Sequence, residues 1–487
     1  MVSPEALPAL SGGGLGEAVG ALAEALVERG HRVDVLTPHS PAHVLPSLGP
    51  LRPLCDVELP VGGRTIRAAL LTPQGQDGPL RSLLLDVPEF FHRPGIYGDG
   101  GNEYADNCAR FVSLARAAMA AGPALRVRYD VLHGHDWPAG LALYFLKEQK
   151  AGGSAGAART GFFTIHNLGY QGNFWGMDLP ILGLGPEHFS SEKLEFFGRI
   201  SFLKAALIAA DRITTVSPSY AREILSPEGG MGLDGILRAR GGDVGGVLNG
   251  ITLSRWSPLT DTALAAQYAS PTDPERRECR AALERTFNLT PGGPLLAFAG
   301  ALSLEKGADV LLSVAPDVVR EGMRLAVLTD DEGALCAPLT ALAAQHAGRI
   351  SVVSGVTQPG LRQLLAGSDF LLLPSRVEPF SMLQMAALKY GAVNLVRRTG
   401  GLRDVVTDVD ANPNTGTGVA YVGEGPAPLW AAIQRAAALF RDTGRYAQVQ
   451  QRAAAVDVSF SAGAARYEAL YLDAMEKARE PEARTGS

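Results

Sequence analysis

The sequence predicts an α/β protein of two doubly wound, Rossmann-like domains facing a central cleft. Three observations carry that expectation. Short apolar runs alternate with helical stretches, the pattern of a parallel sheet wrapped by helices. The runs end in small, polar or ionisable residues, as strands do where open α/β sheets place their ligand sites. The alternation stops at a polar, Pro-rich stretch, Trp256 to Pro274, and then begins again.

Taken in order, Ser11-Gly12-Gly13-Gly14-Leu15 opens a helix with apolar periodicity from Glu17 to Arg29, stopped by Gly30. Arg32 to Leu36 reads as a strand. Asp130 to Leu132 is a strand leading into an extended loop, His133-Gly134-His135-Asp136-Trp137. Gly161 to Ile165 leads into His166-Asn167, and Asp211 to Val216 into Ser217-Pro218. Beyond the expected linker, strands follow at Leu295 to Ala299, Arg324 to Leu328, Ile350 to Val353, Phe370 to Leu373 and Asn394 to Val396. The chain closes on one helix with Tyr467, Leu470 and Tyr471 on a single face. The expected division is 1–255 for the first domain and 256–455 for the second. The C-terminal helix, 456–487, is expected to cross back to the first.

Composition narrows the class. The 487 residues are 46% hydrophobic and 19% charged, which excludes a disordered chain. The formal charge of −6, with no basic patch, argues against a nucleic-acid binder. Fifty-seven glycines and 32 prolines exceed the usual combined share of ~12% and imply many turns. Cys55, Cys108, Cys279 and Cys336 are far apart and show no metal spacing, so free thiols in a reducing compartment are expected. No apolar run approaches the length of a membrane span, and the N-terminus lacks a signal-peptide pattern. A cytoplasmic protein is the expectation. Only seven of the 44 basic residues are Lys, which draws attention to each.

Several motifs carry chemistry. A Gly-rich loop opening a helix offers backbone N–H groups and a positive dipole end to a phosphate; a plain tight turn is the competing reading of Gly13-Gly14. His133 and His135 lack further ligands for a metal site. Asp136 reads as an acceptor for a sugar hydroxyl, and His166 sits at a strand's carboxyl end. Glu305-Lys306-Gly307 follows a strand and starts a helix, where a cation suits a diphosphate. Glu378, in Pro374-Ser375-Arg376-Val377-Glu378-Pro379, also follows a strand and suits sugar hydroxyls. Asp408-Val409-Asp410 has the form of a metal-binding DxD but lies in a polar turn, so it reads as loop acids.

These segments, collinear over nearly the whole chain, closely resemble bacterial glycogen synthase and plant starch synthase. The resemblance runs through Tyr97-Gly-Asp, Glu103-Tyr-Ala-Asp-Asn107, His133-Gly-His-Asp-Trp137 and Thr164-Ile-His-Asn-Leu-Gly-Tyr-Gln-Gly172. It continues through Phe202-Leu-Lys204, Leu248-Asn-Gly-Ile251, Glu305-Lys-Gly307, Pro374-Ser-Arg-Val-Glu-Pro379, Arg397-Arg-Thr-Gly-Gly-Leu402 and Thr415-Gly-Thr-Gly418. It implies a retaining glucosyltransferase of the two-domain GT-B fold. Glucose would pass from ADP-glucose to the non-reducing end of an α-1,4-glucan such as glycogen, with no metal and no cofactor beyond the donor. By position, His166 is expected to contact the transferring glucose, Glu378 to hold its hydroxyls, and Lys306 to bind the diphosphate. Asp136 and Asn249 would line the glucose and acceptor side. Gly13-Gly14 and Thr399-Gly400-Gly401 would supply backbone N–H groups. Neither nucleic acid nor membrane is an expected partner, and the resemblance does not give the oligomeric state.

The departures cluster in the donor site. Ser11 stands where the family has a Lys that reaches the donor phosphates. Ala301 replaces an Arg, and Glu305 a Gln. Thr329-Asp330-Asp331 replaces a Gly-x-Gly, and Val356 a Tyr that packs on adenine. Phe380-Ser381-Met382 replaces Cys-Gly-Leu. Arg397 and Arg398 are the nearby candidates for compensation. Two absent cations predict an altered rate or nucleotide preference. The alternatives are a weakened glucan-binding or regulatory homologue and a transferase of another nucleotide sugar. The start also differs. Val2-Ser3-Pro4-Glu5 aligns only with the end of the family's first strand, which predicts a misassigned start or a frayed first sheet.

Overall fold

A computed structural model describes residues 1–10, 13–153, 156–330 and 333–485, with side chains to residue 477. The chain divides into two units, 1–250 with 460–487, and 251–459.

In the first unit four parallel strands lie in the order Val244–Gly246, Arg212–Thr215, Ala158–Ile165, Tyr129–His135. A second set of four begins with Val33–Pro38 parallel to Leu80–Asp86. It continues into an antiparallel hairpin, Leu51–Val61 with Arg64–Pro73, that the sequence reading did not anticipate. Val2 is the seam between the two sets. It bridges Leu36 on one side and Gly134 on the other. The Val2 amide donates to His133 O at 2.8 Å, and the Ser3 amide to Leu36 O at 3.1 Å. So the strand that joins the two sets is present as little more than one residue. The Met1 ammonium is buried there and donates to Asp34 O at 2.7 Å. Burial lowers it from 8.0 to about 6. Only a small cavity of about 20 Å3 remains beside Met1, lined by Asp34, Leu83, Tyr129 and Val131.

Helices cover this sheet. Gly14–Glu28 presents Val19, Leu22 and Leu26 to a core that includes Val33, Val35 and Phe162. The closing helix, Ser461–Thr485, adds Tyr467 and Tyr471 to the same core, with Leu470 packed against it. Helix Asp136–Ala151 passes so close to Phe202–Ala209 that a Cβ on Gly140 would lie 2.1 Å from Phe202 O. Nothing at that contact is the flexible end of a side chain. Gly140→Ala should therefore cost at least 1–3 kcal/mol by overpacking. A urea-denaturation midpoint equal to that of the parent protein would contradict this.

The second unit is a six-stranded parallel sheet. Its order is Ile350–Ser354, Arg324–Thr329, Leu295–Ala299, Phe370–Leu373, Val393–Arg397, Gly418–Tyr421. The order reverses between Leu295–Ala299 and Phe370–Leu373. That is the topological switch point at which doubly wound sheets open a crevice at their carboxyl ends. The expected linker is not a free tether. Trp256 is buried against the Tyr390 ring. Tyr268 donates to Tyr390 O at 2.8 Å, and the Tyr390 hydroxyl donates to Asp261 at 2.5 Å. The polar, Pro-rich composition reflects a lack of regular structure, while three aromatic rings anchor the segment.

Candidate active site

In the first unit the candidate residues gather at strand ends. His133 and His135 are not in a loop, because the strand Tyr129–His135 continues through both. Residues i and i+2 share one face of a strand, and the two rings stand 4.0 Å apart. His133 bonds the Tyr471 hydroxyl at 2.8 Å and Thr164 Oγ1 at 2.7 Å, which makes it a satisfied core histidine. His135 Nδ1 meets His166 Nε2 at 3.1 Å, while its own Nε2 is buried without a partner.

Asp136 follows in the left-handed region, with φ of 55°. That conformation costs an L-residue roughly 1–2 kcal/mol. It aims Oδ1 at the next strand's end, where it accepts from the His166 amide at 2.6 Å and the Asn167 amide at 3.3 Å. Asp136 thus fixes the turn that carries His166. Burial raises its carboxyl to about 7, partly opposed by those two amides. Asn249 is buried, and its Nδ2 has no hydrogen-bond partner.

Glu5 was not singled out from the sequence, yet it belongs here. Its Oε1 accepts from the Tyr97 hydroxyl at 2.6 Å, its Oε2 is buried without a partner, and burial raises its pKa. A Cβ on Gly13 would stand 3.8 Å from Oε2, so this carboxylate borders the N-terminus of helix Gly14–Glu28. Gly14 faces open space. Ser11 lies outside the described residues.

In the second unit the candidate residues gather at the switch point. Lys306 donates to both carboxylate oxygens of Glu378, at 2.9 and 2.8 Å, and Ser375 donates to Oε2 at 3.0 Å. The Glu378 side chain is 6% exposed and that of Lys306 33%, so the ammonium is the accessible member. Gly307, in the left-handed region, turns the chain into helix Ala308–Arg320. Thr399 stands at the N-cap position of the helix Gly400–Val405 without a side-chain cap bond, and Gly401 N donates to Glu378 O at 3.0 Å. Gly400 has φ of 42°, and a Cβ there would meet Glu378 O at 2.0 Å. Only glycine fits. Ser381 caps the helix Met382–Tyr390 by accepting from Gln384 N, which leaves Met382 as that helix's first residue.

The substituted positions are equally defined. Ala301 is exposed just past Leu295–Ala299. Asp330 accepts from the Gly355 and Val356 amides at 3.1 and 2.5 Å, so its charge braces that loop. Arg397 donates to the carbonyls of Arg376 and Gly423 and pairs with Glu424 at 2.7 Å. It is committed to the loop, and Arg398 is exposed. Asp408 and Asp410 are held by Arg435, with Arg445 also on Asp410, as loop acids would be.

The fold matches the catalytic domain of starch synthase IV from Arabidopsis thaliana at a TM-score of 0.90, 25% identity and 98% of each chain. It matches sucrose-phosphate synthase from Thermosynechococcus elongatus at 0.59 and 17%, over 97% of each chain, a likeness of fold alone. A family model for the starch synthase catalytic domain covers residues 1–239, and one for glycosyl transferases group 1 covers 293–439. The fold and its switch-point site define a glycosyltransferase of the GT-B class. Glycogen synthase of Anaeromyxobacter dehalogenans is 39% identical over 473 residues, 96% of this chain and 98% of that one. That of Halorhodospira halophila is 40% identical over 472 residues, 96% and 97%. The chain belongs to the glycogen synthase and starch synthase family, and it is a glucosyltransferase of that type.

The buried imidazoles set an acid limit. Burial lowers His166 from 6.5 to about 3 and holds His133 and His135 well below 6.5. A base whose folded pKa is lowered binds fewer protons than the unfolded chain, so stability falls as pH drops below 6.5. Asp136 opposes, since its raised carboxyl favours the fold at low pH and loses that contribution as pH rises from 3.8 to about 7. Glu5, also raised by burial, opposes with the same sign, so three imidazoles stand against two carboxyls. The urea midpoint should fall steadily from pH 6.5 to 4.5, and a flat profile would contradict this accounting.

Proposed function

We propose that this protein transfers glucose from ADP-glucose to the non-reducing end of an α-1,4-glucan, with retention, in the cytoplasm and with no cofactor beyond the donor. The observation that carries this reading is the Lys306–Glu378 pair at the switch point. Charge develops on the leaving ADP, so a preorganised cation is the main catalytic device. Lys306 supplies it. Glu378, held by Lys306 and Ser375, presents its carboxylate to the sugar hydroxyls. His166 remains uncharged at neutral pH and serves as a hydrogen-bonding partner to the glucose, set in place by Asp136. Asn249, with its unpartnered buried Nδ2, and Asp136 line the acceptor side. Gly13-Gly14 would offer backbone N–H groups to a phosphate, whereas the Thr399 and Gly401 amides already donate to Arg397 O and Glu378 O, so that turn holds Glu378 instead of supplying N–H groups. The leaving phosphate itself accepts the acceptor's proton. The Arabidopsis enzyme, solved with ADP and acarbose, supports a nucleoside diphosphate and a glucan as ligands.

The absent cations at Ser11 and Ala301, with Arg397 committed elsewhere, favour a slower enzyme over one with family-typical turnover. A radiochemical assay with glycogen and a panel of ADP-glucose, UDP-glucose and other nucleotide sugars tests both points. Incorporation from ADP-glucose at a reduced kcat is the expected result. Transfer from another donor alone, or glycogen binding without transfer, would replace this reading.

A further inference from the structure

Outside that site, three side chains of the first unit converge at one edge. His39 follows the strand Val33–Pro38, Asp86 ends Leu80–Asp86, and His92 closes the short helix Pro88–Phe91. His39 Nδ1 and His92 Nε2 each lie 2.8 Å from Asp86 Oδ1, and the two rings meet edge-on with centroids 5.1 Å apart. All three donor atoms lie within 4.8 Å of one another.

We propose that His39, Asp86 and His92 form a binding site for a divalent transition ion, Zn2+ foremost. Two imidazole nitrogens and one carboxylate oxygen are a donor set that Zn2+ accepts, with the remaining positions open to water. Side-chain exposures of 15%, 25% and 35% leave such an entry path. The scaffold is fixed on two sides. The strands carrying His39 and Asp86 pair in parallel, and the His39 amide extends their ladder by donating to Leu85 O at 2.8 Å. No Lys or Arg competes for the carboxylate, because among the described residues its ion-pair partners are these two imidazoles alone. Tetrahedral bonds of about 2.1 Å set ligand atoms roughly 3.4 Å apart. Each 2.8 Å contact therefore opens by about half an ångström, within reach of side-chain rotation at a partly exposed edge.

The site lies apart from the residues assigned to glucosyl transfer, so its test does not depend on that reading. Untagged protein would be titrated with Zn2+ by calorimetry and with Co2+ by visible absorption, with His92→Ala and Asp86→Asn in parallel. The expected result is one ion per chain and a ligand-field band with Co2+, with binding weakened at least about tenfold in each variant. Circular dichroism reports whether a variant folds, and the second variant serves if the first does not. Absence of binding to the parent protein at 100-fold molar excess of about 10 μM protein, or equal binding in both folded variants, would overturn the proposal.

Discussion

Lys306→Ala should lower kcat for glucosyl transfer by about 10²–10³, corresponding to roughly 3–4 kcal/mol of transition-state stabilisation. The magnitude follows from the site's sparseness. Where the family has further cations, this chain has Ser11 and the exposed Ala301, and Arg397 is bonded to its own loop. On the proposed reading, Lys306 is then the principal cation for the departing diphosphate. Its removal also leaves Glu378 buried with only the Ser375 hydroxyl to accept from among its described side-chain bonds. Part of the loss is therefore misplacement of the carboxylate. The combined Lys306→Ala, Glu378→Gln variant should fall less than the product of the single effects, since the two act as a unit. Steady-state rates at saturating donor would decide the matter, and a loss below tenfold for Lys306→Ala would sink the assignment.

Substitutions at Asp136 should separate stability from chemistry. Asp136→Ala leaves the His166 and Asn167 amides without their acceptor, at about 1–3 kcal/mol for a buried group. It also places alanine at φ 55°, which Asp tolerates better. Together these predict a loss of 2–4 kcal/mol. The turn bearing His166 should shift, and activity should fall by about 10². Asp136→Asn keeps a carbonyl oxygen in the same place and suits the left-handed region. It should fold as stably as the parent at pH 7 while removing a carboxyl that titrates near 7. Denaturation and turnover measured on both variants give the contrast, and equal stability of the two would reject the capping role.

The sequence exposes what local composition encodes. Leu295–Ala299 and Phe370–Leu373 are located to the residue, because strands buried on both faces are uninterrupted apolar runs. The hairpin Leu51–Val61 with Arg64–Pro73 carries no such signal. It is half exposed, and Pro53 and Pro60 argue against a strand by composition. His133 reads as a loop residue because polar groups rarely extend a buried strand. It does so here through Tyr471 and Thr164, partners 338 and 31 residues away. Glu5 was invisible for the same reason, its partner Tyr97 being 92 residues distant. The Lys306–Glu378 pair, 72 residues apart, became legible only because each residue sits in a motif of its own.

The Val2 seam has a consequence for exchange of amide hydrogens. Two four-stranded halves of the first sheet share a single bridging residue. Contiguous segments open together. The Leu36 amide, bonded to Met1 O, and the His135 amide, bonded to Val2 O, therefore belong to one local opening event. That event ends one residue from Asp136. The Leu36 and His135 amides should therefore exchange at a common rate, which would tie the turn that carries His166 to the bridge at Val2.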